Sequence, residues 1–167
     1  MRKNKSHQDN IPDDYQPLYQ YLLRKDWRNA DLATRELMLK TAQVQGRKDL
    51  LLTKGDLAKF PCIDLQRIDR LWYQASKGKF SFYVTYQLYH NNDCNYEKLA
   101  NLVGWKQGEN WIKFEQIMFS LDAPQGHLPL VWLVPKTFAI YWCARFVSAG
   151  WGLMFDRWQN CQDTNIV

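Results

Sequence analysis

The stretch FPCIDLQRIDRLWYQASKGKFSFYVTY, Phe60 to Tyr86, constrains this chain more than any other. In its first half Leu65, Ile68, Leu71, Trp72 and Ala75 recur at helical spacing and form one apolar face. Arg67, Arg70, Gln74 and Lys77 fall on another face. Asp64 is the expected N-cap, since a carboxylate there accepts from the free N–H groups of a first turn. Gly78 is the expected stop at C′. The second half reads two ways. Phe80, Phe82, Val84, Tyr86 and Leu88 alternate as a strand would. Yet no other stretch alternates well enough to supply a partner, and a lone strand is not stable.

The rest of the chain supplies helices. Asp14 is the expected cap of a helix from Tyr15 to about Lys25, with Pro17 tolerated in its first turn. A second is expected from Asn29 to Val44, ended by Gly46. Residues 47–60 read as a loop with a helical turn. Asn95 should cap a short helix carrying Tyr96, Leu99, Leu102 and Val103 on one face, stopped by Gly104. Residues 1–14 have no apolar run and mix both charge signs, which predicts a disordered tail, not a targeting peptide. The domain is expected over residues 15–161, with a tail at 162–167. Leu128 to Phe155 is rich in aromatics and broken by Pro135, Lys136 and Arg145. Its charge-free runs are too short to span a bilayer. It reads as a greasy loop and a buried terminal helix, or as a segment resting on a membrane surface.

At 167 residues the chain suits one domain with a real core. A net charge of +5 favours an anionic partner without choosing among nucleic acid, acidic lipid and a carboxylate ligand. Cys62, Cys94, Cys143 and Cys161 contain no C-x-x-C pair, which argues against structural zinc; they read as reduced thiols in a cytoplasmic protein. Cys94 or Cys143 could also carry a bilin through a thioether. No catalytic motif or metal-ligand spacing occurs, so no enzyme is expected.

P-C-x-D-L-x-x-I-D-x-L-W at Pro61 to Trp72, followed by S-x-G-K-F-x-F-x-V at Ser76 to Val84, resembles the signature of the genomes-uncoupled-four family. W-x-x-A-D-x-x-T from Trp27 to Thr34, V-G-W at Val103 to Trp105, A-P-x-G-H-L-P at Ala123 to Pro129 and R-x-x-x-C at Arg157 to Cys161 are similar to it in the same order. The resemblance implies an all-α fold, a compact multi-helix cupped hand whose pocket is formed by two loops. It therefore favours helix over strand for Phe80 to Leu88. It implies a non-catalytic protein that binds protoporphyrin IX or magnesium-protoporphyrin IX. Such a protein would act as carrier or activator for the large porphyrin-binding subunit of magnesium chelatase in chlorophyll synthesis. Where the family reads G-K-F-G-F-S-V-Q, this chain has Ser81, Tyr83 and Thr85 in place of Gly, Ser and Gln, the mark of a divergent cyanobacterial-type paralogue.

A porphyrin needs two broad apolar walls and cations at one rim. Tyr73 and Phe82 match the family's pocket. By their chemistry, Phe60, Leu71, Trp72, Phe80 and Tyr83 would extend that wall. Leu128, Pro129, Trp132, Phe138 and Trp142 would face it, and Arg67, Lys77, Lys79, Arg145 and Arg157 would meet the propionates. His127 is a candidate axial ligand, or else a loop histidine bonded to backbone. A linear bilin is a further possible ligand. Two rival functions remain. KGKFSFYVTY resembles a ribonucleoprotein strand that stacks single-stranded RNA, although Lys79 and Tyr83 interrupt the match. Alternatively the chain is a regulatory interaction module that keeps the fold without the ligand.

Overall fold

The computed structural model describes residues 11–46, 52–130 and 140–163, the last segment with side chains from residue 152 onward. The described residues form seven α-helices, one small hairpin and two 3-10 turns, Asp13–Tyr15 and Phe114–Gln116: α1 Gln16–Leu23, α2 Trp27–Thr41, α3 Lys54–Ala58, α4 Cys62–Ala75, α5 Phe82–His90, α6 Tyr96–Leu102, β1 Lys106–Gln107, β2 Asn110–Trp111 and α7 Ile140–Asp163. The all-α expectation holds, with the antiparallel hairpin as its one addition.

The core forms where α1 and α2 pack as a pair and α4 lies across them. Leu18 and Leu22 from α1, Trp27, Ala30, Leu37 and Met38 from α2, and Leu65, Ile68 and Trp72 from α4 are all buried there. The indole rings of Trp27 and Trp72 stack at 5.9 Å, and Phe80 meets Trp27 edge-on at 5.6 Å. A buried indole N–H needs an acceptor. Thr34 supplies it: Trp72 Nε1 donates to Thr34 Oγ1 at 2.9 Å, and Thr34 Oγ1 donates on to the Ala30 carbonyl at 2.8 Å. The T of W-x-x-A-D-x-x-T is thus the partner of the W in L-W.

Several local expectations need correction. Pro61 is the N-cap of α4, and Asp64 lies inside the first turn, where it accepts from the Tyr15 hydroxyl and sits 3.7 Å from Arg67. Asp14 caps no helix; it pairs with Lys40, and a short 3-10 turn, Asp13–Tyr15, leads into α1. The tail predicted over residues 1–14 falls outside the described residues for its first ten. Ile11 packs on the core, and its carbonyl accepts from Gln16 Nε2 at 3.0 Å. α2 starts at Trp27 under an Asp26 cap and stops at Gln43, not Gly46: Gln43 has φ 59°, and Val44 N–H returns to Leu39 O at 3.0 Å. α4 stops one residue before the expected glycine. Lys77 takes the left-handed C′ position at φ 55°, and Gly78 N–H closes the Schellman bond to Tyr73 O at 2.8 Å. Asn95 and Gly104 behave as expected, with Asn95 Oδ1 accepting from Lys98 N–H at 3.0 Å.

Phe82–His90 is a helix, so the strand on which RNA stacking depended does not exist. Ser81 explains the choice. Its hydroxyl accepts from Val84 N–H at 3.2 Å and caps α5. The residue that departs from the family's glycine is the cap itself.

The cysteine reading is overturned for two of the four. Cys62, the first residue of α4, and Cys161, near the end of α7, form a disulfide with Cα atoms 5.3 Å apart. Their sequence separation of 99 carried no hint of this pairing, which arises because α7 returns to the start of α4. Cys94 is a free, exposed thiol, and the side chain of Cys143 lies outside the described residues.

Candidate functional site

Helices α4, α5 and α7 meet along an open groove of about 410 Å³. Gln66, Asp69, Arg70 and Tyr73 line it from α4, Tyr83 from α5, and Trp158 and Gln162 from α7. Gln66, Arg70 and Tyr73 stand four and then three residues apart, so they share one helix face. Tyr73 and Tyr83 are 44% and 40% exposed, high for rings of this size, while Trp158 is buried behind them. The ring centroids of Tyr73 and Tyr83 are 6.4 Å apart, and Tyr83 lies 6.3 Å from Trp158. This is an aromatic wall with one cation, Arg70, beside it.

Two features fix that wall. Gly78 sits against the Tyr73 ring: a Cβ there would approach ring atoms at 3.2 Å, and its φ of +81° already favours glycine. Asp69 fixes Tyr83. It is buried, and its carboxyl accepts from Tyr83 N–H at 2.8 Å, with Ser81 and Phe82 also donating to it. The acid thus holds the open N–H groups at the start of α5. Burial pushes its pKa up to about 6, against the opposing pull of those donors.

The residues expected to form two facing walls are instead distributed between groove and core. Tyr73 and Tyr83 line the groove. Phe60, Trp72, Phe80, Phe82 and Leu128 are sealed in the core, and Pro129 is buried too, while Leu71 packs against the core half-buried. The G-K-F and G-H-L-P loops are tied together rather than opposed across a slot. Gly126 N–H donates to Lys79 O at 2.9 Å, and Thr85 Oγ1 donates to Gly126 O at 3.2 Å. Gly126 has φ +75°, a left-handed backbone that favours glycine, and a Cβ there would also press on Leu88 Cδ1 at 2.8 Å.

The expected rim cations are mostly committed elsewhere. Arg67 lies over the Tyr15 ring at 5.2 Å, Lys79 donates to Leu121 O, and Arg157 Nε donates to Phe60 O at 2.8 Å. Lys77 is exposed outside the groove lining. Trp132, Phe138, Trp142 and Arg145 lie outside the described side chains. His127 is no axial ligand. It is fully buried, its Nε2 accepts from Met118 N–H at 3.2 Å, and its Nδ1 faces Val103 O at 2.6 Å. That pattern puts the proton on Nδ1 and leaves no nitrogen lone pair for a metal. Burial accordingly holds the imidazole pKa below its ordinary value.

Sequence reasoning missed Gln66, Asp69, Arg70, Trp158 and Gln162. For three of them a signal existed: Gln66, Asp69 and Arg70 precede Tyr73 by seven, four and three residues, the spacing of one helical face. Trp158 and Gln162 had none, since nothing local says that α7 closes against α4.

Fold and groove together define a class: an all-helical domain presenting an open aromatic groove on one face. A similar architecture is found among GUN4 structures. The ligand-free structure of Arabidopsis thaliana GUN4 superposes with a TM-score of 0.65 at 21% identity, covering 87% of this chain and 93% of that one. GUN4 from Chlamydomonas reinhardtii gives 0.67 at 23% identity over 92% of this chain and 90% of its own. Residues 8–141 match the model of the GUN4-like family, and the chain belongs to that family. A Ycf53-like protein of Synechocystis sp. is 35% identical over 119 residues, 71% of this chain and 51% of its own length. The ycf53 protein of Porphyra purpurea is 35% identical over 118 residues, 70% of this chain and 50% of its own. The chain spans about half the length of these curated relatives.

Proposed function

We propose that this chain binds a tetrapyrrole against the Tyr73–Tyr83–Trp158 wall and acts without catalysis of its own as a carrier or activator of a tetrapyrrole-processing enzyme. Family membership supports the ligand class. The observation that carries the reading is the groove: two half-exposed tyrosine rings and a buried tryptophan line an open trough, with an arginine beside them. A porphyrin laid there rests one face against the aromatic edges and faces of the groove and brings a propionate toward Arg70. Covering about 200 Å² of ring face at about 25 cal/mol/Å² gives about 5 kcal/mol before ordering costs. Protoporphyrin IX and its magnesium complex are the favoured ligands, with a linear bilin as comparison. With His127 committed to backbone, a ring metal has no imidazole ligand from that loop. Magnesium chelatase, through its large porphyrin-binding subunit, is the favoured partner.

The test is a tryptophan-quenching titration with protoporphyrin, magnesium-protoporphyrin and a bilin in parallel. Trp158 lines the groove, so bound ligand should quench its emission. Saturable quenching in the micromolar range or below, weakened in Tyr83→Ser and Tyr73→Ala, is the expected result. A folded protein that none of the three quenches would sink the tetrapyrrole reading and leave a ligand-free interaction module on the same fold. Phe82→Ala is unsuitable as a site probe, since that ring is core and its loss would report folding.

A further inference from the structure

One wall of the groove is held by a covalent bond whose consequences reach the site. Trp158 lies three residues before Cys161 and Gln162 follows it directly, while Gln66 lies one turn beyond Cys62. The disulfide therefore clamps α7 to α4 at the end of the groove. Two hydrogen bonds accompany it: Gln66 Nε2 donates to Cys161 O at 3.3 Å, and Arg157 Nε donates to Phe60 O at 2.8 Å. Among the described residues α7 is also held by the burial of Met154, Phe155 and Trp158, by the rings of Tyr86, Tyr89 and Tyr96 around Phe155, and by a hydrogen bond from the Tyr86 hydroxyl to Gln159 Oε1. The disulfide's own hold is therefore on the end that carries Trp158 and Gln162. The bond closes a long loop, spanning 99 residues of sequence, the case in which a crosslink restricts the unlinked chain most.

We infer that the Cys62–Cys161 disulfide is a redox latch on the groove: oxidised, it holds the α7 wall against α4, and reduced, it frees that wall and weakens ligand binding. The inference rests on the binding reading above. The two sulfurs differ in a way that suits exchange. Cys161 is fully buried, whereas Cys62 is half-buried at the first position of α4, where the helix dipole favours a thiolate. A protein dithiol is the reductant. Its thiolate attacks Cys62 Sγ, the Cys62–Cys161 bond breaks, and Cys161 leaves as a thiolate that takes up a proton. The second thiol of the reductant then closes on the first, expelling Cys62. Two electrons and two protons pass to this protein, and the dithiol becomes a disulfide. Disulfides that cycle in this way are the sort compatible with a protein expected in a thiol-reducing compartment.

The experiment uses the full chain carrying Cys94→Ser, to remove the exposed free thiol, compared before and after treatment with dithiothreitol. Thiol labelling with mass spectrometry assigns the redox state of Cys62 and Cys161. Hydrogen exchange over residues 152–163 is expected to quicken by about tenfold or more on reduction, and by more than exchange in α2, which slows or quickens only with global stability. Protoporphyrin affinity is expected to fall about tenfold over the same change. Unchanged exchange in 152–163 would overturn the latch, as would thiols at 62 and 161 that air or an oxidised dithiol cannot join. Faster exchange with undiminished affinity would overturn its control of the groove. Should neither form bind a porphyrin, the tetrapyrrole reading fails, while the exchange data still decide whether α7 is latched. Cys161→Ser serves as a second variant: it should match the reduced protein and no longer respond to dithiothreitol.

Discussion

The cluster of Trp27, Trp72 and Phe80 and the wall of Tyr73, Tyr83 and Trp158 are both aromatic triads, and α4 contributes one ring to each from adjacent positions. Trp72 is fully buried and Tyr73 is 44% exposed. In the first cluster the polar atom of Trp72 is satisfied inside the protein, its indole N–H ending on Thr34. In the second the tyrosines face the solvent, and Trp158 Nε1 is buried with no hydrogen-bond partner among the described residues. An interior that specifies a fold completes its hydrogen bonds. A surface suited to a ligand keeps rings bare and donors uncommitted. The difference separates what holds this molecule together from what it can hold.

The largest expected effect tests the closed cluster. Trp72→Ala empties the centre of the core and should cost about 3–5 kcal/mol of stability in urea denaturation. The protein that still folds should bind porphyrin with its affinity intact. A cost under about 1 kcal/mol would mean the cluster is not the keystone of the fold.

Next comes a pH effect, led by a buried acid of α2. Asp31 on α2 is buried, and it accepts from Leu130 N–H beyond the G-H-L-P loop. Burial outweighs that bond and the charge of Arg35, and raises its pKa from 3.8 to about 7. Between those values the unfolded chain has lost the proton and the folded chain keeps it. Stability from this group is therefore complete below 3.8 and falls as pH rises toward 7, by the order of a few kcal/mol. Asp69, raised to about 6, adds to the same slope over a narrower window. Asp31→Asn should flatten the fall in a denaturation series across that range; an unchanged slope would assign it to other groups.

Thr34→Val sharpens the contrast with a smaller change. The volume is kept and the acceptor for Trp72 Nε1 is lost, so a buried donor stays unpaired at a cost of about 1–3 kcal/mol. Thermal denaturation should show it, and porphyrin titration should not.

How far this division was legible follows from the kind of signal each residue gives. Helical period identified α4 and its apolar stripe, because Leu65, Ile68 and Trp72 must share a face to be buried together. The cap at Asn95 and the stop at Gly104 were legible because their chemistry is local. The pocket wall is expected at Phe82 from the family resemblance and at Phe80 from its chemistry, since aromatic rings suit both cores and ligand sites and nothing within KFSFYV distinguishes the two. Ser81 settles it: by capping α5 and donating to Asp69, it turns both phenylalanines inward and leaves Tyr83 outside. His127 was ambiguous for the same reason, since its partners Val103 and Met118 are brought to it only by the fold. The disulfide and the Trp158 wall depend on where a distant helix returns, which no local pattern encodes.

The smallest effect on stability belongs to the open wall, and it should carry the largest functional signature. Tyr83→Ser restores the residue usual in the family's motif. The side chain is 40% exposed, and Asp69 binds the backbone N–H at this position, which serine keeps. Stability should therefore change by no more than about 0.5 kcal/mol. The ring is lost as a stacking platform beside Tyr73, a contribution of about 0.5–1.5 kcal/mol per aromatic pair, so protoporphyrin affinity should fall by up to about tenfold. If affinity rises instead, Tyr83 crowds the groove and the family's smaller residue opens it for the macrocycle. If stability falls by as much as in Thr34→Val, the Tyr83–Trp158 contact belongs with the closed cluster, and the two triads are one core.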